Sequence, residues 1–248
     1  MVRGKSDLGV IGAAREPRAD ERIVLPSDRV LYNLEEPNAT ALSRIPEGAV
    51  RILDVGCGGG ANGRWLAEHG FESFGVTHSL EEAAIARRAY RAIVVADAER
   101  FFPCGAGPRF DAILFIDALE HFRDPWDVLA RCRSSLGDRG AVLAFIPNIG
   151  HLKARLSLLG GSFRYTATGL MDRTHLRFFD RKSVRELFTA SGYRIDSQEY
   201  VWTRPPARFF PGFFRALSRV LLALWPSAFA RHFLIVARPV STGSVTDR

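Results

Sequence analysis

A glycine-rich stretch near the start of the chain has the residue types of a ligand-binding loop. Asp54 is followed by Val55 and then by Gly56, Cys57, Gly58, Gly59 and Gly60. Glycine lets the backbone turn at positive φ and brings main-chain N–H groups close to a ligand, because no Cβ intervenes. A turn without a ligand needs only one or two glycines. The four glycines therefore predict a loop that binds a nucleotide-like cofactor.

The second predicted strand helps to distinguish the classes of cofactor. A dinucleotide site requires G-x-G-x-x-G and an acidic residue about 20 positions further on, which binds the ribose hydroxyls. In this chain the second strand ends in Val76, Thr77 and His78, without an acid, and the glycine spacing departs from the dinucleotide pattern. The residues favour a cofactor other than NAD.

The stretch from Asp54 to Gly60 resembles the first motif of class I S-adenosylmethionine-dependent methyltransferases, and the resemblance extends over residues 50–200. Asp97, followed by Ala98, matches the acid of that family that contacts the adenine amino group. Asp117, at the end of the fourth strand, matches the segment that lines the methyl-transfer site. The resemblance implies S-adenosylmethionine as the cofactor.

Thr77 departs from the family pattern, since most members carry Asp or Glu there for the ribose. Its hydroxyl can bond one ribose oxygen, without the strength of a charged partner. The surrounding residues resemble the variant in cyclopropane fatty acid synthases, and His78 is a candidate helper. The carboxylate of the cofactor suits the N–H groups of the glycine loop, and Asp54 and Asp117 can offset its positive groups.

Methyl transfer needs a general base only when the acceptor must lose a proton. The candidate catalytic residues are His121, which follows the fourth strand, and His175 with Asp172, in a polar segment rich in charged residues. Residues 149–179 interrupt the strand and helix alternation, and such long excursions are typical of substrate lids. The alternatives for these side chains are a packing histidine and an ion-paired surface turn.

The region 148–179 also resembles a bacterial methyltransferase subgroup of polysaccharide and natural-product pathways. It implies O-methylation of a small-molecule, sugar or glycan-like acceptor. N- or C-methylation and a non-catalytic cofactor-binding protein stay open, while cyclopropanation ranks low. The fourth strand leads into Asp117-Ala118-Leu119-Glu120 rather than the motif of nucleic-acid amino methyltransferases, so we expect no nucleic-acid partner.

The elements that must position these residues alternate between strand and helix from residue 51 onward, which predicts a doubly wound α/β sheet. We expect a mostly parallel sheet with an antiparallel last strand, of the Rossmann-like methyltransferase type. The predicted strands are 51–55, 71–76, 92–96, 110–116, 141–146, 193–201 and 232–237. The predicted helices are 61–69, 79–91, 125–136 and 180–191.

A chain of 248 residues, 47% of them hydrophobic, can form one domain with decorations. Within it we expect a flexible arm (1–27), a helical cover (28–48), a cofactor-binding core (50–148), the lid, and a C-terminal part (180–240) with an amphipathic insertion (204–231). The apolar stripe at 213–225 favours packing on this chain or a second subunit. Peripheral contact with a membrane is the alternative, and the sequence leaves the oligomeric state undetermined.

Charge and cysteine content indicate the class of partner and the cellular compartment to expect. The net charge is +7, but the arginines are dispersed, which argues against a nucleic-acid-binding tail. Three cysteines, Cys57, Cys104 and Cys132, have no metal-ligand spacing, so the sequence predicts no metal site and favours a reducing cytoplasm. The N-terminus lacks the pattern of a signal peptide.

Overall fold

The computed structural model describes residues 36–101, 109–202, 220 and 224–240. Its centre is a seven-stranded sheet with the order β3-β2-β1-β4-β5-β7-β6, in which every strand but β7 runs parallel to the others. The strands are β1 Arg51–Val55, β2 Glu72–Thr77, β3 Ala92–Val95, β4 Phe110–Ile116, β5 Leu136–Pro147, β6 Tyr193–Val201 and β7 His232–Pro239. The predicted fold class is confirmed.

Helices cover both faces of this sheet, as a parallel sheet requires. They are α1 Ala39–Leu42, α2 Ala61–Glu68, α3 Leu80–Ala86, α4 Pro125–Cys132, α5 Leu152–Leu159, α6 Arg181–Ala190 and α7 Pro226–Phe229. One buried cluster contains Phe115, Phe188 and Phe233, and the other contains Leu66 and Tyr90. The α6 helix packs an apolar face on the sheet, since Val184, Leu187 and Phe188 are all buried.

Two predicted boundaries were wrong. Helix α3 ends at Ala86 rather than near residue 91, because the chain turns there and places Tyr90 inside the protein. Strand β5 begins at Leu136, where a helix end was predicted, and a register irregularity separates its first pairing with β4 from the rest. Glycine permits the close approach of β5 to β4 at this irregularity, because a Cβ at Gly140 would lie 2.9 Å from the carbonyl oxygen of Phe110.

Residues 149–179 leave the sheet and return to it at one point. Asn148 and Phe179 form a parallel bridge, and the N–H of Ile149 donates to the carbonyl of Phe179 at 2.9 Å. The excursion contains α5, a helix that the sequence pattern did not predict. Its base is therefore fixed beside the end of β5.

Several expectations concern residues outside the described ranges. These are the arm at 1–27, the cover up to residue 35, Cys104 and most of the insertion at 204–231. Of the predicted apolar stripe, Val220 and Leu224 are described, and both are exposed. Among the described residues, every helix is too short or too polar to cross a membrane.

Candidate functional site

The glycine loop joins β1 to α2 at the carboxyl edge of the sheet. Gly56, Gly58 and Gly60 have φ values of 82°, 53° and 85°, which L-residues with side chains rarely adopt. The N–H groups of Gly56 and Cys57 donate to the carbonyl of Val76, which fixes the loop against β2. Gly56 is exposed and the other loop residues are buried. The loop thus presents one open face.

Asp54 and Tyr90 support the loop from below. The Tyr90 hydroxyl donates to Asp54 Oδ2 at 2.6 Å, and the Tyr90 ring leaves no room for a Cβ at Gly63, which would approach it to 2.4 Å. Asp54 is only 1% exposed. Burial raises the pKa of Asp54 to about 6, although hydrogen bonds from Tyr90 and Asn62 oppose the shift. Burial likewise raises the pKa of the Cys57 thiol.

We expect this buried carboxylate to make stability depend on pH. Because the pKa of Asp54 is higher in the folded protein, its contribution is fully present below its unfolded pKa of 3.8 and is lost as pH rises through 6. Asp54→Asn removes that titration. The free energy of unfolding of the wild type, relative to the variant, should therefore fall by about 2 kcal/mol between pH 4 and pH 7. Urea unfolding checks this, and a difference independent of pH would contradict it.

The end of β2 holds a buried hydroxyl and carboxylate pair. Thr77 Oγ1 donates to Glu82 Oε2 at 2.6 Å and accepts the N–H of Ser79 at 3.2 Å, and both Thr77 and Glu82 are buried. The Thr77 hydroxyl hydrogen is thus directed at Glu82. His78, the next residue, is exposed at the same edge.

The ends of β3 and β4 carry the two other acids predicted from the sequence. Asp97 is exposed and its Oδ1 accepts the N–H of Glu99, while Ala98 is buried. Asp117 is the one non-glycine residue of the described part with positive φ, at 50°. Such strain costs about 1–3 kcal/mol and persists where the surrounding structure enforces it, often at functional sites. Its Oδ1 lies 3.8 Å from Nε2 of His232 at the start of β7.

Five of the six histidines of the chain are linked by charge effects: besides burial, His175 and His78 lower the pKa of His121, and His151 and His175 lower that of His232. They are His78, His121, His151, His175 and His232. The ring of His232 stacks on Phe145 with centroids 4.4 Å apart. Burial, with Arg231 next in effect, lowers the pKa of His232 to about 4, so that its ring is neutral at pH 7.

The predicted catalytic residues form a cluster slightly below the edge. His175 Nε2 lies 3.9 Å from Glu120 Oε1, and the His121 and His175 rings meet edge to face with centroids 4.8 Å apart. Burial lowers the pKa of both imidazoles and raises the pKa of Glu120 well above its usual range. One ligand atom each of Glu120, His121 and His175 lies within 4.8 Å of the others, so this set could hold a metal ion.

Asp172 organises the turn that carries His175. Its Oδ1 accepts the N–H and the hydroxyl of Thr174 at 2.8 and 2.7 Å, and the residue is 2% exposed. These hydrogen bonds lower the pKa of Asp172 despite its burial. The structure therefore brings Asp172, His121 and His175 together, but it places His175 and Asp172 away from solvent.

Sequence reasoning missed four residues of this edge: Tyr90, Glu82, Glu120 and His232. Each acts on a residue that was predicted, and each contact depends on the tertiary fold. Only Glu82 had a sequence signal, as the third residue after the helix cap Ser79, and that pattern indicated a helix start.

Comparisons with known proteins identify the family of this chain. A family model described as "Methyltransferase domain" matches residues 19–198. A ubiquinone biosynthesis O-methyltransferase from Caulobacter sp. (strain K31) is 30% identical over 137 residues, which are 52% of this chain and 54% of that protein. The chain thus spans about half the length of the curated relatives it matches.

Solved structures show the same fold at lower identity. A SAM-dependent methyltransferase from Archaeoglobus fulgidus has a TM-score of 0.57 and 18% identity, covering 80% of this chain and 90% of that one. The magnesium protoporphyrin IX methyltransferase of Synechocystis, solved with bound SAH, has a TM-score of 0.52 and 16% identity, covering 81% and 78%.

Proposed function

Since this chain belongs to the methyltransferase domain family, we propose that it is an S-adenosylmethionine-dependent enzyme that methylates a hydroxyl oxygen of a small acceptor. The observation that carries the proposal is the pair Asp117 and His232 at the open carboxyl edge. A hydroxyl must lose its proton during transfer, and a neutral imidazole beside a carboxylate can accept it. The Caulobacter relative is named an O-methyltransferase, which supports the choice of oxygen.

In the proposed reaction the bond between the sulfonium sulfur and its methyl carbon breaks as the acceptor oxygen bonds that carbon. The hydroxyl proton passes to Nε2 of His232. Burial raises the pKa of Asp117 to about 7, and in its ionised form this side chain stabilises the imidazolium that forms. The products are S-adenosylhomocysteine and the methyl ether. Positioning supplies most of the acceleration in such an in-line displacement, about 7–11 kcal/mol in favourable cases.

The cofactor is proposed to lie along the carboxyl edge of the sheet. Gly56, Gly58 and Gly60 receive its methionine end, with Cys57 and Asp54 supporting the loop from inside. Thr77 and His78 lie near the ribose, and Asp97 with Ala98 near the adenine. Asp117 faces the sulfonium. Residues 149–179 are proposed as the lid over the acceptor, because both ends of this excursion are fixed beside β5.

A mass-spectrometric screen tests the proposed reaction. The protein is incubated with methyl-labelled S-adenosylmethionine and a panel of phenols, catechols and sugars, and fragmentation locates the label. We expect an O-methyl product. Transfer to nitrogen or carbon would replace the proposed acceptor class. If calorimetry detects no binding of S-adenosylmethionine or of S-adenosylhomocysteine, the reaction is excluded. Binding without methyl transfer to any acceptor would favour a non-catalytic accessory protein.

Asp117→Asn should reduce the affinity for the charged cofactor more than the affinity for its product, which lacks the sulfonium charge. S-adenosylmethionine carries a sulfonium charge that S-adenosylhomocysteine lacks. Loss of a nearby carboxylate should therefore reduce the affinity for S-adenosylmethionine about 10-fold more than the affinity for S-adenosylhomocysteine. Asparagine tolerates positive φ, so the backbone is retained. Calorimetry with both ligands measures the ratio. Asp97→Asn is the control: both ligands contain the adenine, so the affinity for each should fall by the same factor. Equal losses of affinity for the two ligands in Asp117→Asn would show that this carboxylate does not face the sulfur.

A further inference from the structure

Glu120 is a buried carboxyl group without a hydrogen-bond partner in the part of the chain that the structure describes. The residue is 1% exposed, and both of its carboxylate oxygens are buried without a hydrogen-bond partner among the described residues. An uncompensated buried charge costs several kcal/mol, and such groups are ordinarily paired or coordinate a metal. The nearest ring nitrogen, His175 Nε2, is 3.9 Å away, which is beyond hydrogen-bond distance.

The two histidines beside Glu120 are oriented as metal ligands are. His121 Nδ1 lies 3.2 Å from the carbonyl oxygen of Thr174, and His175 Nδ1 lies 3.2 Å from that of Leu170. A carbonyl only accepts, so each Nδ1 carries the hydrogen and Nε2 carries the lone pair. Histidines that bind metals almost always donate their other ring N–H to a carbonyl or carboxylate in this way.

From these contacts we propose that Glu120, His121 and His175 bind a divalent transition-metal ion of the zinc class. Two imidazoles and one carboxylate are a donor set that suits zinc. With ligand bonds of about 2.0–2.2 Å, neighbouring ligand atoms of a tetrahedral site stand about 3.3–3.6 Å apart. The widest pair of the present set is 4.8 Å apart, so the side chains must close by roughly 1 Å around the ion.

The ion would join the excursion at 149–179 to the sheet. Glu120 and His121 lie in the short 3-10 turn after β4, whereas His175 belongs to the excursion. The main chain already connects the two, since the N–H groups of Leu176 and Arg177 donate to the carbonyl of Glu120 at 2.8 and 3.0 Å. A cation at this point is a clamp that holds the returning arm of the proposed lid. It also assigns His121 and His175 to metal binding and leaves His232 for proton transfer.

Zinc titration of the tag-free full chain, stripped with EDTA and dialysed, tests the clamp. We expect one equivalent of Zn²⁺ to bind in calorimetry and to raise the Tm. Glu120→Gln and His175→Ala should each weaken binding at least about 100-fold, since loss of a ligand exceeds the 10–100-fold effect of an outer-shell partner. His69→Ala is the control, because His69 stacks on Trp65 and contributes no atom to the cluster.

The outcomes separate this clamp from the proposed reaction. Glu120→Gln keeps the shape of the side chain and replaces the acid by a neutral amide, so its Tm without zinc should be no lower than that of the wild type, and it serves if His175→Ala does not fold. No zinc binding, or equal binding in the wild type and Glu120→Gln, overturns the clamp. Titration with S-adenosylhomocysteine in parallel shows independently whether the cofactor site is intact.

Discussion

Gly56→Ala is expected to raise the dissociation constant for S-adenosylhomocysteine about 100-fold, equivalent to about 2.7 kcal/mol. Gly56 has φ of 82°, and a Cβ built there would lie 2.9 Å from Cβ of Ala118, the residue after Asp117. Alanine costs about 1–2 kcal/mol in the left-handed region, and overpacking adds about 1–3 kcal/mol. The loop and the Ala118 segment must then move apart, and both border the proposed cofactor cleft.

Gly70→Ala provides the matched control for this effect. Gly70 has φ of 80°, but a Cβ there would meet nothing within 4 Å. Both variants therefore carry the same backbone strain, and only Gly56→Ala changes the cleft. Calorimetry should show unchanged S-adenosylhomocysteine affinity for Gly70→Ala, with a loss of stability of about 1 kcal/mol in urea unfolding. Equal affinities in the two variants would place the cofactor away from Gly56.

The predictability of the fold follows from how local its signals are. The central strands β4 and β5 contain apolar runs, and capped helices followed by glycines separate the strands, so the type and position of these elements along the chain could be deduced from the sequence. The two boundary errors depend on distant partners. Tyr90 leaves its predicted helix because its hydroxyl bonds Asp54 from β1, and Leu136 joins β5 because Gly140 allows a close approach to Phe110.

The residues of the candidate site likewise differ in whether local sequence could indicate them. The glycine loop and the acids after the strands were predicted, because the carboxyl ends of parallel strands meet at one edge. Glu120 and His232 were not predicted. The burial of Glu120 without a hydrogen-bond partner and the stacking of His232 arise only when residues 119–121, the excursion and β7 come together in the fold. The hydrogen bond from the Thr77 hydroxyl to Glu82 was also not predicted, while the expected contact of Thr77 with the ribose stays a prediction. The cofactor-contact roles of all these residues stay predictions.

His232→Phe should lower the rate constant of methyl transfer at saturation by about 100-fold or more, the range of general-base catalysis. Phenylalanine keeps a flat ring that can stack on Phe145, where the His232 ring now lies 4.4 Å away at an interplanar angle of 20°. The fold and the cofactor cleft should therefore be retained while the proton acceptor is lost. Stopped assays with an acceptor found in the screen give this rate constant, and calorimetry should show S-adenosylhomocysteine affinity within about 3-fold of wild type, under 1 kcal/mol.

His69→Phe tests whether the loss belongs to the site or to any stacked histidine. The His69 ring also stacks on an aromatic neighbour, Trp65, at a centroid distance of 3.7 Å, but it lies at the end of α2. Its replacement should leave the rate constant unchanged. A rate constant for His232→Phe close to that of the wild type would mean that the proton leaves by another group, or that the acceptor atom has no proton to lose. The second case would move the reaction from hydroxyl acceptors to those that are already nucleophilic, because a sulfonium methyl group needs only alignment with such an atom.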